Sequence, residues 1–205
     1  MNYFDILLAK KLVNGGSPTP PGPPADGKTR LYVSLAEGRL SPVLGLGVNG
    51  SVDVDWGDGT AHGTLAGSST STLVTIPHTY AQGGDYVITL TAAESTTIAV
   101  LGANTGSLLF TKDGAVGNEA RVYRTSLKKA YLGNSVTNIE TNAFNSCYGL
   151  SFIKFESTAP PTIGSSTTFN GVPTDCIIYV PEGTLEAYTS ATNYPDPDAY
   201  SYIEY

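Results

Sequence analysis

The stretch Val52-Asp-Val-Asp-Trp56-Gly-Asp-Gly-Thr60 decides how the middle of this chain folds. Its first residues alternate between apolar and acidic side chains, and a period of two predicts a β-strand with one apolar and one polar face. The next pair, Asp58 and Gly59, predicts a tight turn, because glycine accepts a positive φ and aspartate hydrogen-bonds within its own turn. The apolar face is expected to hold Val52, Val54 and Trp56, and the polar face Asp53 and Asp55.

Strand-like segments with turn residues between them continue on both sides of this stretch. Residues 29–95 therefore predict a β-sandwich in which Trp56, Tyr80 and Tyr86 contribute to the core. Tyr80 is also placed to act as a corner tyrosine, whose phenol group bonds to nearby backbone. The predicted strands are 30–35, 44–48, 51–56, 73–76 and 86–92.

Three motifs in this region resemble a known family when they are taken together. Trp56-Gly-Asp-Gly-Thr60 is followed by His78-Thr-Tyr80 and then by Gly84-Asp-Tyr-Val-Ile-Thr-Leu90. In order and spacing they are similar to polycystic-kidney-disease (PKD) type immunoglobulin-like domains. That resemblance implies a spacer or interaction module, usually extracellular and usually without catalysis.

Residues 127–180 contain an internal repeat, and residues 96–126 are interpreted as a junction with a first, irregular repeat. A period in the twenties is that of leucine-rich repeats, in which short strands bury their apolar rows by stacking on neighbours. The apolar set Leu127, Ala130 and Leu132 recurs as Leu150, Ile153 and Phe155 after 23 residues, and Ile153 and Phe155 recur as Ile178 and Val180 after 25.

Residues 134–150 resemble the bacterial surface-antigen class of leucine-rich repeat. That class reads Ser-Val-Thr-x-Ile-x-x-x-Ala-Phe-x-x-Cys-x-x-Leu, which implies that Phe144 is a core residue. Residues 178–188 are similar to the cap that ends such arrays. The array is short, and Leu132-Gly-Asn134 replaces the usual Ile-Pro. We therefore expect it to depend on the neighbouring domain for stability.

The N-terminal region predicts an anchor peptide at residues 1–13 and a Pro/Gly-rich linker at 14–28. The apolar residues have helical spacing, but an isolated helix this short is stable only when it packs on a partner. The segment is therefore interpreted either as a docking peptide or as a disordered tail. The linker prolines favour an extended chain of about 3.1 Å per residue. The predicted docking residues are Tyr3, Phe4, Ile6, Leu7, Leu8 and Leu12.

The start of the chain does not have the order of a secretory signal, because its short apolar run follows Asp5 and precedes Lys10 and Lys11. Met1-Asn-Tyr-Phe-Asp-Ile-Leu-Leu-Ala-Lys-Lys-Leu12 is instead similar to the N-termini of structural proteins encoded by phages and prophages of gut Gram-positive bacteria. That resemblance implies a virion component, which reaches the outside by cell lysis.

Composition limits the partners and the chemistry. A net charge of −7 argues against nucleic acid and anionic membranes, and no apolar window approaches the ~20 residues of a membrane span. No nucleophile elbow, phosphate loop or metalloprotease motif is present, so we expect neither an enzyme nor a cofactor. Calcium binding by Asp53, Asp55 and Asp58 stays open, as does a disulfide between Cys147 and Cys176.

The tyrosines that cluster late in the chain allow two interpretations, which are packing of the cap and a glycan- or protein-binding patch. They are Tyr179, Tyr188, Tyr194, Tyr200, Tyr202 and Tyr205.

The resulting prediction is an all-β protein with an immunoglobulin-like (PKD-type) sandwich at 29–95 and a short leucine-rich-repeat domain with a C-terminal cap at 96–205. Its predicted function is that of a virion head fibre, capsid decoration or tail fibre that binds capsid or tail proteins and displays its β modules to host-surface or mucosal glycans. A homo-oligomer such as a trimer is expected. The alternatives are a bacterial cell-surface adhesin and an accessory binding module of an extracellular enzyme.

Overall fold

The structure is a computed structural model that describes residues 25–101, 111–112 and 121–205. These residues form mostly β-strands, which confirms the all-β prediction. The helical elements are α1 (Arg121–Arg124), α2 (Leu185–Thr189) and a 3₁₀ turn (Ser166–Phe169). The strands are β1 (Thr29–Leu35), β2 (Pro42–Asp55), β3 (Gly63–Pro77), β4 (Gly84–Ala92), β5 (Thr97–Val100), β6 (Thr111–Lys112), β7 (Leu127–Leu132), β8 (Val136–Ile139), β9 (Phe152–Phe155), β10 (Thr162–Ile163), β11 (Ile177–Val180) and β12 (Ser201–Glu204).

The first part of the sheet is antiparallel, with β4 between β1 and β2 and with β3 paired along β2. In β1 the buried residues Leu31, Val33 and Leu35 alternate with less buried ones, as a strand with one face on the core requires. In β2 the same alternation buries Val52 and Val54 and leaves Asp53 exposed. The predicted faces of this stretch are therefore confirmed.

The prediction of two strands at 44–48 and 51–56 is wrong, because β2 runs through Asn49 and Gly50 without a break. Asn-Gly is a strong turn signal, but here the strand only bends. Gly50 takes a φ of +121°, and a Cβ on it would collide with the side chain of Thr96. After the bend β2 pairs with β4 at Val52–Asp55, and just before it β2 pairs with β5 at Gly47–Asn49.

The internal repeat is realised as a ladder of parallel strands. Ala130 lies opposite Ile153, and Ile153 lies opposite Ile178, so the register reproduces the spacings of 23 and 25 residues. A second parallel ladder joins β5, β8 and β10, with Val100 and Ile163 both opposite Ile139. Each repeat therefore supplies one strand to each of two ladders.

The antiparallel strands join the two ladders directly. The order in the sheet is β10-β8-β5-β2-β4-β1-β7-β9-β11-β12, and both β3 and β6 pair with β2. Residues from all parts of this sheet, such as Val54, Ile139 and Ile153, belong to one hydrophobic core. The parallel ladders and the antiparallel strands therefore form one sheet and share one core.

The glycine of Leu132-Gly-Asn134 lies close to the segment that enters β1. A Cβ on Gly133 would collide with the carbonyl group of Gly27, and the Gly133 N–H donates to Thr29 Oγ1 at 3.0 Å. A larger residue at position 133 would therefore displace the chain that enters β1. The predicted anchor peptide, the predicted linker as far as residue 24 and much of the predicted junction at 96–126 lie outside the described residues.

Candidate functional site

The motifs at residues 56–60 and 78–80 meet in an aromatic corner, which consists of Trp56, Asp58, His78 and Tyr80. Trp56 is 3% exposed and stacks on the ring of His78, with 4.6 Å between ring centroids and 10° between planes. The Tyr80 hydroxyl donates to the Trp56 carbonyl at 3.0 Å, which is the corner role predicted for it. Tyr86 packs against Tyr80 at 4.2 Å on the rim of the core.

Asp58 holds the turn and the corner together. Its Oδ1 accepts from the backbone N–H and the hydroxyl of Thr60, and its Oδ2 lies 2.8 Å from His78 Nε2. Burial opposes the ionisation of Asp58, but the hydrogen bonds from Thr60 and His78 outweigh it and leave its pKa below the usual value. The sequence motif is therefore explained by packing and hydrogen bonding within the corner.

The three aspartates considered for calcium do not meet. Asp53 and Asp55 lie on either side of the exposed His62 ring, at 2.8 and 3.6 Å from its two nitrogens, whereas Asp58 points to His78. Across residues 25–101 and 121–205, no group of three or more histidine, cysteine, aspartate or glutamate side chains is placed to bind a metal ion.

Phe144 and the two cysteines lie inside the repeat array. Phe144 stacks on Phe169 of the next repeat, with 5.7 Å between centroids and 7° between planes, so the echo between residues 143–145 and 168–170 is a physical contact. Cys147 and Cys176 are both buried free thiols. Burial raises the pKa of each thiol to about 12.

These thiols are expected to resist alkylation in the folded protein at pH 8, because almost none of either thiol is ionised or accessible. Both thiols should react rapidly in denaturant, and the two labels found there confirm that two free thiols are present. Mass spectrometry of protein treated with iodoacetamide checks the prediction. Rapid labelling of native protein would mean that the array opens locally, and no labelling in denaturant would reveal a disulfide.

The late tyrosines pack the cap, which is the first of their two interpretations. Five of the six donate their hydroxyl hydrogen to a backbone carbonyl, as Tyr188 does to Ser157 at 2.6 Å and Tyr194 to Pro161 at 2.8 Å. Burial raises the pKa of both groups above the usual tyrosine value. The other three donors are Tyr200, Tyr202 and Tyr205.

A second aromatic group, which we call the aromatic face, lies on the opposite side of strands β1, β7, β9 and β11 from the main core. Its rings follow one another across the strands, with centroid separations of 5.1, 5.4 and 5.6 Å. Sequence reasoning missed this face, because a strand buried on both sides has no alternation to signal it. Its members are Tyr32, Tyr131, Phe152 and Tyr179.

A buried ion pair borders the aromatic face. Lys154 Nζ lies 3.9 Å from Glu156 Oε1 and 4.3 Å from the centre of the Tyr205 ring. Glu156 Oε2 accepts from the Gly27 N–H at 2.7 Å, which fixes the segment that leads into β1. Burial lowers the pKa of Lys154 and raises that of Glu156, since both charges are taken out of water.

A cavity of about 140 Å³ lies between the turn after β1 and the start of β7. No sequence motif marks it, and it was not predicted. A β-bulge between β1 and β7 leaves Lys128 out of the register, so its side chain turns to the cavity. The residues lining the cavity include Ser34, Arg39, Tyr123, Thr125, Ser126 and Lys128.

The predicted docking residues Tyr3, Phe4, Ile6, Leu7, Leu8 and Leu12 lie outside the described residues. Among the helices of the described part, none is long and apolar enough to cross a lipid bilayer. No protein-family model, curated protein or solved structure matches this chain.

Proposed function

We propose that this chain is a non-enzymatic structural protein of a phage particle, which docks by residues 1–13 and displays its β body outward. In this proposal the body combines a PKD-type sandwich with a leucine-rich-repeat array. Its partners are capsid or tail proteins at one end and surface glycans at the other. The similarity of residues 1–12 to phage and prophage structural proteins supports the docking role, and the two module resemblances support adhesion.

The observation that carries the proposal is how the leading segment, residues 1–28, joins the body, by which we mean the described residues from β1 onward. Strand β1 follows this segment and is paired on both sides, with β4 and with β7. A force applied through the residues before β1 therefore acts on a central strand, and the hydrogen bonds to both β4 and β7 oppose its removal. An edge strand has hydrogen bonds on one side only and could be separated one bond at a time. This is the attachment that a tethered, displayed domain needs.

Contacts just before β1 strengthen the same attachment. Asp26 and Arg30 form a bidentate pair at 2.6 and 2.8 Å, and the Arg30 guanidinium lowers the pKa of Asp26 to about 2. The Gly27 N–H is held by Glu156. These contacts hold the end of the predicted linker at 14–28 against the strands. The part of that linker before residue 26 would span roughly 35 Å if it is extended at about 3.1 Å per residue.

Deleting residues 1–16 is expected to abolish incorporation into particles and to leave the melting curve of the body unchanged, because none of the deleted residues contributes to the described core. Quantitative mass spectrometry of gradient-purified particles, with the major capsid protein as reference, measures incorporation. Circular dichroism of the purified variant measures folding.

A matched pair of variants separates docking from charge. Leu7→Asp with Leu8→Asp should abolish incorporation, whereas Lys10→Gln with Lys11→Gln should preserve it, because the apolar residues are proposed to dock. Incorporation of the deletion variant at the wild-type ratio would refute the anchor. Peptides confined to washed cell envelopes would instead favour the bacterial adhesin.

A further inference from the structure

The cavity beside the β-bulge concentrates positive charge on an acidic protein. Arg39 and Lys128 both line it, although the net charge of the chain is −7. Among the described lining residues there is no carboxylate. Glu37, in the same turn as Arg39, points away and accepts from the Gly83 N–H at 2.7 Å.

Arg39 and Lys128 have side-chain N–H groups that are available to bind a ligand. Within residues 25–101 and 121–205, the Arg39 guanidinium has no ion-pair partner, and its backbone closes the turn by donating to Ala36 at 3.1 Å. Lys128 Nζ uses one hydrogen on the Thr125 carbonyl at 3.0 Å, which leaves two. Charge-assisted hydrogen bonds to an oxyanion are the interaction that such donors favour.

The backbone brings both residues to the cavity. Gly38, at a φ of +81°, forms the turn that brings Arg39 back to the cavity. Lys128 is the extra residue of the bulge, and bulges commonly redirect a side chain beside a functional site. A Cβ on Gly149 would lie 2.7 Å from Lys128 Nζ, so this glycine leaves room for the lysine.

The size of the cavity limits what can enter it. Pockets that enclose a drug-sized molecule have volumes of about 300–1,000 Å³, whereas this one has about 140 Å³. It therefore suits one functional group of a larger ligand that continues across the surface. Tyr148, next to Gly149, is 62% exposed, but its ring lies beside Gly171 and it is not among the residues that line the cavity.

We infer that this cavity binds one oxyanionic group, a carboxylate or a phosphate, of an acidic surface polysaccharide, with Arg39 and Lys128 as donors. The inference rests on the proposed function, because only a displayed body meets such polymers. The hydroxyl of Ser34 is a further donor at the cavity wall.

The test is a nuclear magnetic resonance titration of the full chain with three defined probes. The probes are galacturonic acid oligomers, the same oligomers with every carboxyl group reduced to an alcohol, and glycerol phosphate oligomers. We expect saturable shifts near Ser34 and Ser126 with at least one acidic probe, weaker binding at high salt, and no binding of the reduced oligomer. Preference between the acidic probes identifies the carboxylate or the phosphate as the source.

Two variants with the same change of charge make the test specific. Arg39→Gln should weaken binding about tenfold or more, because it removes charge-assisted hydrogen bonds. Lys129→Gln should bind like wild type, because Lys129 lies over the Tyr32 and Phe152 rings of the aromatic face.

Failure of this inference can be told apart from failure of the proposed function. No binding of either acidic probe, equal binding of the reduced oligomer, or equal losses in Arg39→Gln and Lys129→Gln would overturn the inference, whatever the incorporation assay gives. Site-specific binding by a protein that is absent from particles would retain the cavity and refute the virion role.

Discussion

Replacing Trp56 with alanine is expected to lower the free energy of unfolding by about 3–5 kcal/mol. The indole is almost fully buried, stacks on His78 and meets Tyr80 edge-on at 6.4 Å. Its removal leaves a cavity and also loosens the Tyr80 hydroxyl bond to the backbone of residue 56. The loss therefore exceeds the transfer free energy of the ring alone.

Chemical denaturation followed by far-UV circular dichroism measures this effect, because the variant has lost the only tryptophan and with it the usual fluorescence signal. In a thermal scan the same loss corresponds to a fall in Tm of roughly 6–20 °C. Tyr148→Ala is the matched control, since it removes an exposed aromatic ring and should change stability by about 0.5 kcal/mol or less.

The shape of the transition carries further information. Core residues of the antiparallel strands and of the parallel ladders form one cluster, so the variant should still unfold in a single step at a lower denaturant concentration. An unchanged midpoint would mean that Trp56 is not buried. Two separate transitions would mean that the parallel ladders fold without the antiparallel strands.

The parts of the fold that could be predicted from sequence are those in which neighbouring residues determine the structure. Alternation in residues 52–56 gave the correct faces of β2, and the corner role of Tyr80 followed from its place in the motif. The repeat spacings predicted which strands pair, because a stacked array must align equivalent positions. The error at Asn49-Gly50 arose because the strand continues through Gly50 with a bend, beside Thr96, and this contact between residues far apart in sequence is not visible in the dipeptide.

The parts that could not be predicted depend on residues far apart in sequence. In Phe152-Ile-Lys-Phe155, alternation would place Lys154 in solvent, but Tyr205 and Glu156 enclose it. The buried Glu156 accepts a hydrogen bond from the Gly27 N–H, which lies far from it in sequence. The bulge at Lys128 likewise depends on how β1 and β7 meet, and neither strand alone signals it.

Breaking the buried Lys154–Glu156 pair from either side is expected to cost about 3–5 kcal/mol at neutral pH, because each single change leaves an unpaired buried charge. Lys154 is 1% and Glu156 is 8% exposed, so water cannot replace the missing partner. Lys154→Met keeps a flexible apolar side chain near the Tyr131 and Tyr205 rings. Glu156→Gln keeps an oxygen that accepts from the Gly27 N–H.

The two single variants should respond to pH in opposite directions. In Lys154→Met the folded-state pKa of Glu156 rises further above its unfolded-state pKa, because the folded protein favours the protonated carboxyl group. The variant is therefore most stable below the unfolded-state pKa and loses stability as the pH rises through the folded-state pKa. In Glu156→Gln the folded-state pKa of Lys154 falls further, so the variant regains stability as the pH rises towards the unfolded lysine value. Each is therefore most destabilised where its remaining charge is fully ionised.

The double variant, Lys154→Met with Glu156→Gln, should return to within about 1 kcal/mol of wild type, since replacing both charges of a buried pair is often neutral or stabilising. Denaturation curves of the four proteins between pH 4 and pH 9 measure the coupling. Lys129→Met is the matched control for removal of a lysine from the aromatic face, and it should change stability little because Lys129 is less buried and not ion-paired among the described residues. Additive losses in the double variant, or parallel pH profiles in the two single variants, would show that the two charges do not interact.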